Sequence, residues 1–342
     1  MIRILLLLLL PVIAQAQTVR IATYNTELSR DGPGLLLRDI RRGDPQVQAV
    51  VEVLVATQPD ILALQSIDWD LNAEALTALT KQLRAAGLDY PHYFAAQPNA
   101  GLETSLDLNG DGRTHGPADA QGWGRFTGQG GLAVLSRYPI RANDVQAFTD
   151  LLWRDLPGAQ MPVTENDPFP SEEAQSIQRL SAVAHWIVPV DTPLGMVDLM
   201  TFHAAPPVFD GPEDRNGLRN RDEIRLWSAV LDGKLGHPLD GPFVIAGDAN
   251  LDPEQGEGRK EAIQALLADP RLQDPRPADV SGALNTVEWK AVGEMRVDYV
   301  LPSAGLHVTG SGVFWPEPDS PERAAAEQAS RHRLVWVDVT AP

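Results

Sequence analysis

Apolar positions along the chain alternate between a period of two and a period of three to four, and the changes fall at glycine, proline and Asx residues. Thr18–Asn25 (TVRIATYN) alternates as a half-buried strand does. Pro45–Thr57 places Val47, Val50, Val51, Leu54 and Val55 on one helical face, and Pro59 ends it. Ile61–Gln65 is a short apolar strand, and Ala73–Gly87 a second amphipathic helix closed by glycine. Gly131–Ser136, Ala182–Val190 and Met196–His203 read as strands of a sheet core. A charged amphipathic helix follows over Asn216–Leu231. Then come a strand Pro242–Ala246 ending in Gly247-Asp248-Ala249-Asn250, a helix Glu261–Ala268, and strands over Val297–Leu301 and Leu334–Val339. Segments 97–130 and 141–180 are expected as long loops around one rim. No repeat or long linker interrupts the series, so one α/β domain over residues 17–342 is expected.

The first sixteen residues stand outside that pattern. Arg3 precedes an apolar run Ile4–Ile13, and Ala14-Gln15-Ala16 is an A-x-A cleavage signal. The run is short for a hydrocarbon core of roughly 30 Å. The expectation is a signal peptide over 1–16, cleaved after Ala16, giving a periplasmic or secreted protein with no transmembrane segment.

Charge narrows the partners. Lys+Arg number 28 against 46 Asp+Glu in 342 residues, a formal net charge of -18. A field of that sign repels nucleic acid at long range and excludes a non-specific coat protein, though not a small cationic pocket. Only four lysines occur (Lys81, Lys234, Lys260, Lys290), with no basic stripe interleaved with aromatics. The absence of cysteine removes disulfide scaffolds, thiolate zinc sites and thiol nucleophiles. G-x-S-x-G, H-E-x-x-H, G-K-[ST] and G-x-G-x-x-G are also missing, which leaves serine esterases, zincins, nucleotide motors and dinucleotide enzymes without support.

The informative polar residues sit where strands end. Asn25 and Glu27 follow the first, His203 a middle one, Asp248 and Asn250 the next; Asp298 lies in RVDYV and His332 in SRHRLVW. Each alone reads as a turn residue or a satisfied core histidine. Taken in order, YNTE, PDILALQ, FHA, GDAN, RVDYV and S-x-H resemble the endonuclease/exonuclease/phosphatase superfamily over about residues 20–342, in particular exported bacterial members. The resemblance implies a four-layer α/β/β/α sandwich of two packed mixed β-sheets flanked by helices. It also implies hydrolysis of a phosphodiester or phosphomonoester by activated water. In that scheme Asn25 orients the phosphate-side network, and Glu27 binds Mg²⁺, Mn²⁺ or water. His203 donates to a phosphate oxygen, Asp248 aligns the attacking water, Asn250 holds the phosphoryl group, and Asp298 with His332 forms a carboxylate–imidazole pair.

Two positions depart from the family pattern. The usual Gln-Glu or Asn-Glu after the second strand is Gln65-Ser66, and the usual Ser-Asp-His is Ser330-Arg331-His332. Two metal-binding carboxylates are gone and a guanidinium has arrived. Three explanations stay open: Asp68 or Asp70 of the SIDWD loop restores a ligand; Arg331 replaces the cation; or the site binds phosphate esters without turnover. The acidic surface favours a compact ester or a phospholipid head group over nucleic acid, and a monomer is expected.

Two further signals carry plain alternatives. Asp107, Asn109 and Asp111 in DLNGDG match the start of a calcium loop, but Ala118 stands where its closing glutamate belongs, so an Asx-rich turn is the alternative. Arg215 with Asn216 at the head of an arginine-rich helix is a candidate second anion contact. The alternative is a solvated helix face paired with neighbouring acids.

Overall fold

The computed structural model describes residues 17–341, so the leader expectation over 1–16 lies outside the described residues. In chain order the first strands are β1 (Val19–Leu28), β2 (Ile61–Ile67), β3 (His92–Phe94), β4 (Gly131–Ser136), β5 (Gln146–Ala147), β6 (Val163–Thr164), β7 (Asp167–Pro168) and β8 (His185–Thr192). The remainder are β9 (Gly195–His203), β10 (Phe243–Asp248), β11 (Val287–Trp289), β12 (Gly293–Met295), β13 (Asp298–Pro302), β14 (His307–Val313) and β15 (Val335–Thr340). The helices are α1 (Leu35–Arg42), α2 (Pro45–Thr57), α3 (Glu74–Ala85), α4 (Glu172–Ile177), α5 (Arg215–Leu231), α6 (Glu261–Leu267) and α7 (Pro321–Ala329).

Two mixed sheets form the centre: a six-stranded one in the order β14-β15-β1-β2-β4-β3 and a five-stranded one in the order β13-β10-β9-β8-β5. β1 and β2 are parallel, as are β9 and β10, while the other pairs are antiparallel. Strand alternation sorts the side chains of the second sheet into two layers. Trp186, Val188, Leu199, Val244, Ala246 and Val300 join the core shared with the first sheet and its helices. Ile187, Met200, Phe202, Ile245 and Leu301, one residue out of phase, pack with Trp227 of α5 and Ile263 of α6. On the outer side of the first sheet, Leu36 and Ile40 of α1, Val50 and Leu54 of α2 and Leu79 of α3 close the fourth layer. The expected α/β/β/α sandwich is the observed one.

Local chemistry explains the boundaries. Asp44 accepts hydrogen bonds from the Gln46 and Val47 amides (3.0 and 3.2 Å) and Pro45 opens α2, so this helix matches the expected span. The sequence pattern did not announce α1, β14 or α7. α1 buries only Leu36 and Ile40, α7 buries only alanines, and β14 is a glycine-containing edge strand without apolar alternation. No helix among the described residues is long and apolar enough to cross a membrane.

Candidate active site

The register of the second sheet builds half of the site. Asp248, last in β10, pairs with His203 of the parallel strand β9 and with Asp298 of the antiparallel strand β13. The three therefore form one transverse row. Counting by twos, they are in phase with Leu199, Ala246 and Val300, so they face the first sheet at its open end. Gly247 permits the close approach of β9: a Cβ there would lie 2.4 Å from the Phe202 carbonyl oxygen.

The first sheet supplies the opposing residues. Asn25 of β1 donates from Nδ2 to Asp248 Oδ2 at 2.9 Å and lies 3.4 Å from His332 Nε2. His332 comes from the segment between α7 and β15. Its Nδ1 is 2.9 Å from Asp298 Oδ2 and 3.8 Å from Asp248 Oδ2, and its ring meets Trp289 edge-on. Ser330 secures this segment by donating from Oγ to the Asn25 carbonyl at 2.8 Å while accepting from the His332 amide at 3.1 Å. Thr286 Oγ1 accepts from the Val297 and Asp298 amides and so fixes the start of β13. Neither Ser330 nor Thr286 stood out as a site-builder in the sequence; the S-x-H spacing was the one signal for Ser330.

Where β1 and β2 leave the sheet, both bulge. Their pairing slips between Asn25 and Leu28, and Glu27 and Ser66 take left-handed backbones with φ of 50° and 55°. A bulge re-aims a side chain, and here it turns Glu27 toward Arg331. Glu27 Oε1 accepts from Arg331 Nε at 2.8 Å and also from Nη2, while Oε2 accepts from the Arg331 amide at 2.9 Å and lies 3.2 Å from Ser330 Oγ, whose one proton goes to the nearer Asn25 carbonyl. The carboxylate is thus held by a guanidinium.

The floor is buried: Asp248, Asp298, Asn25 and His332 are 0–4% exposed, while the Arg331 side chain is 61% exposed at the rim. Burial alone would lower the pKa of His332, but Asp298 and then Asp248 raise it to about 9. His203 moves the other way. Burial lowers its pKa and the charge of His332 adds to that, against the pull of Asp248, which lies 3.5 Å from its Nε2. At neutral pH the site therefore carries a cationic His332 and a neutral His203. Burial and then Asp298 push Asp248 upward, with both histidines opposing. Burial also pushes Glu27 upward, but its hydrogen bonds from Arg331 prevail and hold it below the usual carboxylate range. Two buried atoms, His203 Nδ1 and Asp298 Oδ1, have no hydrogen-bond partner within the described residues.

The other expected site residues make the following contacts. Asn250, with a left-handed φ of 49°, donates from its amide to Asp248 Oδ1 at 2.7 Å and from Nδ2 to the Ala204 carbonyl at 2.9 Å, so it fastens two strand exits together. Asp68 accepts the Arg30 and Gly130 amides, both at 2.9 Å, and Asp70 accepts the Glu74 and Ala75 amides at the head of α3. Both carboxylates thus hold loops together. Arg215 is part-buried and donates to the Leu108 carbonyl, and Asn216 donates from Nδ2 to the Val208 carbonyl at 2.7 Å. Where a second anion contact was expected, one guanidinium donor and the Asn216 amide each reach a backbone carbonyl. In the DLNGDG loop, Asp107 accepts the Asn109, Gly110 and Gly112 amides, Asn109 accepts that of Asp111, and Asp111 that of Arg113. These are the hydrogen bonds of an Asx-rich turn.

The sequence model of the Endonuclease/Exonuclease/phosphatase family matches residues 22–332, the span that contains every residue of this cluster. The chain belongs to that family. Solved structures share the fold at low identity. One is an endonuclease/exonuclease/phosphatase from Beutenbergia cavernae DSM 12333 (21% identity, TM-score 0.56, covering 95% of this chain and 72% of that one). Another is a family protein from Leptotrichia buccalis C-1013-b (15%, TM-score 0.55, 94% and 99%). A third is the human Nocturnin catalytic domain with bound sulfate anion (13%, TM-score 0.51, 95% of each chain). No curated protein matches the chain.

The family typically uses a divalent metal. Around Glu27 the donor set does not fit one. Ser66 offers a hydroxyl, and Arg331 brings a positive charge onto the remaining carboxylate. Asp248, Asp298 and His332 are a second place to look, since one ligand atom from each lies within 4.8 Å of the others and Asp298 Oδ1 is unpartnered. There a cation would compete with the proton shared by His332 Nδ1 and Asp298.

Proposed function

We propose that this family member is an exported phosphoric ester hydrolase in which Arg331 takes the place of the metal ion at Glu27. The observation that carries the reading is the convergence of Asp248, Asn25 and His332, with Asn25 Nδ2 2.9 Å from Asp248 and 3.4 Å from His332 and the latter two 3.8 Å apart, next to the exposed guanidinium of Arg331. Asp248 is the group that orients and deprotonates water. Neutral His203 lies beside it and donates to a non-bridging oxygen. Cationic His332, held by Asp298, faces the charge that grows on the phosphoryl group, and Arg331 presents a planar fork at the mouth. Phosphoryl transfer needs positioned donors more than covalent chemistry, and one such donor contributes about 3 kcal/mol. The bound sulfate of the Nocturnin domain supports an oxyanion site in this fold.

The net charge of -18 favours a compact phosphate ester or phospholipid head group as substrate. Export rests on the leader pattern of residues 1–16. The test is a panel of aryl phosphomonoesters and phosphodiesters, assayed with EDTA and with added Mg²⁺ or Mn²⁺. Turnover that survives EDTA and is lost in His332→Ala and Asp248→Ala supports the proposal. Saturable phosphate binding without turnover would instead support a binding protein.

A further inference from the structure

Beyond the residues that face the phosphoryl group, one side chain of α5 holds two of them in place. β9 and β10 run parallel up to His203 and Asp248, and their last ladder bond is from the Ala204 amide to the Asp248 carbonyl at 2.9 Å. Past that bond the two chains separate. Asn220, fully buried on α5, bridges the gap: its Nδ2 donates to the Ala205 carbonyl and to the Ala249 carbonyl, each at 2.7 Å. These carbonyls lie two residues after His203 and one after Asp248. Asn220 Oδ1 has no partner, so the amide is oriented by its donors alone. Neighbours on the helix brace the same region. Glu223 accepts the Ala205 amide at 2.7 Å and the Ala182 amide at 2.6 Å, and Arg219 donates to the Leu180 and Gln121 carbonyls at 2.8 and 2.6 Å.

We propose that Asn220 is a positioning residue that sets the separation of His203 and Asp248, acting through the Ala205 and Ala249 carbonyls without touching the phosphoryl group. This rests on the hydrolase reading only for its kinetic consequence. With both strands anchored to one amide, the side chains they present have little freedom to drift apart. Misplacement on the order of 1 Å is enough to cost about 100-fold in rate.

The experiment uses Asn220→Asp, nearly isosteric but without the two N–H donors, and Asn220→Ala, with Leu226→Ala on the same helix as a control for general destabilisation. Crystal structures of the full chain are expected to show the 3.5 Å gap between His203 Nε2 and Asp248 Oδ2 widened in both Asn220 variants by about 0.5 Å or more, and unchanged in the control. On bis(p-nitrophenyl) phosphate, kcat is expected to fall about 10- to 100-fold with KM within about threefold, while Leu226→Ala, whatever its loss of Tm, keeps its kcat. An unchanged gap, or an equal kcat loss in the control, overturns the proposal. A wild-type chain without turnover would refute the hydrolase reading, and the crystallographic arm would still decide the role of Asn220.

Discussion

The Arg331 guanidinium lies against the Glu27 carboxylate, with Nε 2.8 Å from Oε1 and the backbone amide of the same arginine 2.9 Å from Oε2. The pair is made by a bulge in β1 that turns Glu27 outward and by Ser330, which ties the arginine-bearing segment back to the Asn25 carbonyl. A carboxylate held this way has little left to offer a divalent ion, because the guanidinium both fills the space and repels the charge.

That arrangement predicts a reversible change of cofactor. Introducing Ser66→Glu together with Arg331→Asp removes the guanidinium and provides two further carboxylates beside Glu27. Calorimetric titration with Mn²⁺ is expected to show binding to the double variant, and turnover of an aryl phosphodiester to become sensitive to EDTA. The parent chain should show neither effect in this comparison. Arg331→Ala alone is expected to lower kcat/KM without creating metal dependence. A parent enzyme inactivated by EDTA would contradict the assignment of Arg331.

The Asp298–His332 pair makes a second, distinct prediction. Asp298 holds the imidazole Nδ1 at 2.9 Å and supplies the largest upward push on its pKa. Asp298→Asn keeps the shape but frees the ring to turn and removes that push. The expected loss in kcat is about 100-fold or more, within the range for displaced acid–base groups, with KM little changed. The alkaline limb of the kcat profile should move to lower pH as His332 loses its proton more readily. Equal losses in kcat and in Tm-matched core variants would argue for a merely structural pair.

Much of this architecture was legible in the sequence because sheet cores obey short-range rules. The apolar runs placed His203, Asp248 and Asp298 in or at the end of strands, and the family resemblance grouped them as one site. The register then only had to align their ends. What stayed hidden depends on contacts far apart in the chain. Glu27 and Arg331 are separated by 304 positions, and their pairing follows from paired bulges that have no compositional mark. Asp68 could not be told from a spare ligand, since its role is to accept amides of Arg30 and Gly130 that arrive from two other loops. Arg215, read as a surface or mouth cation, is part-buried and donates to the Leu108 carbonyl, a contact made by the 97–130 insertion, whose path the sequence left open.

A plain stability test checks the helical layer that supports β1. Asp44 caps α2 through two amides and precedes Pro45, so Asp44→Ala leaves two helix donors without that partner. Loss of such a cap costs about 1 kcal/mol, to be read from urea denaturation midpoints at unchanged slope. A cost near zero would mean that water serves the two amides as well as the Asp44 carboxylate does.

The pH dependence of stability carries the sign of the His332 shift. Its folded pKa, about 9, lies above the ordinary value of 6.5, with burial opposing and Asp298 and Asp248 prevailing. A base that binds its proton more tightly when folded stabilises the fold fully while the unfolded chain is also protonated, below about 6.5. As pH rises past that value the unfolded chain releases its proton first, and the contribution fades until the folded pKa is passed. Denaturant midpoints measured from pH 6 to pH 10 should therefore fall through that window in the parent chain. In His332→Gln the same window should be flatter, with the two curves converging at its alkaline end up to a constant difference in packing. His203, shifted downward by burial, contributes with the opposite sign and at lower pH: there stability rises as pH climbs through the folded pKa toward the ordinary value. A variant curve parallel to the parent between pH 6.5 and 9 would show that His332 does not hold its proton in the folded state, and with it the cationic half of the site would go.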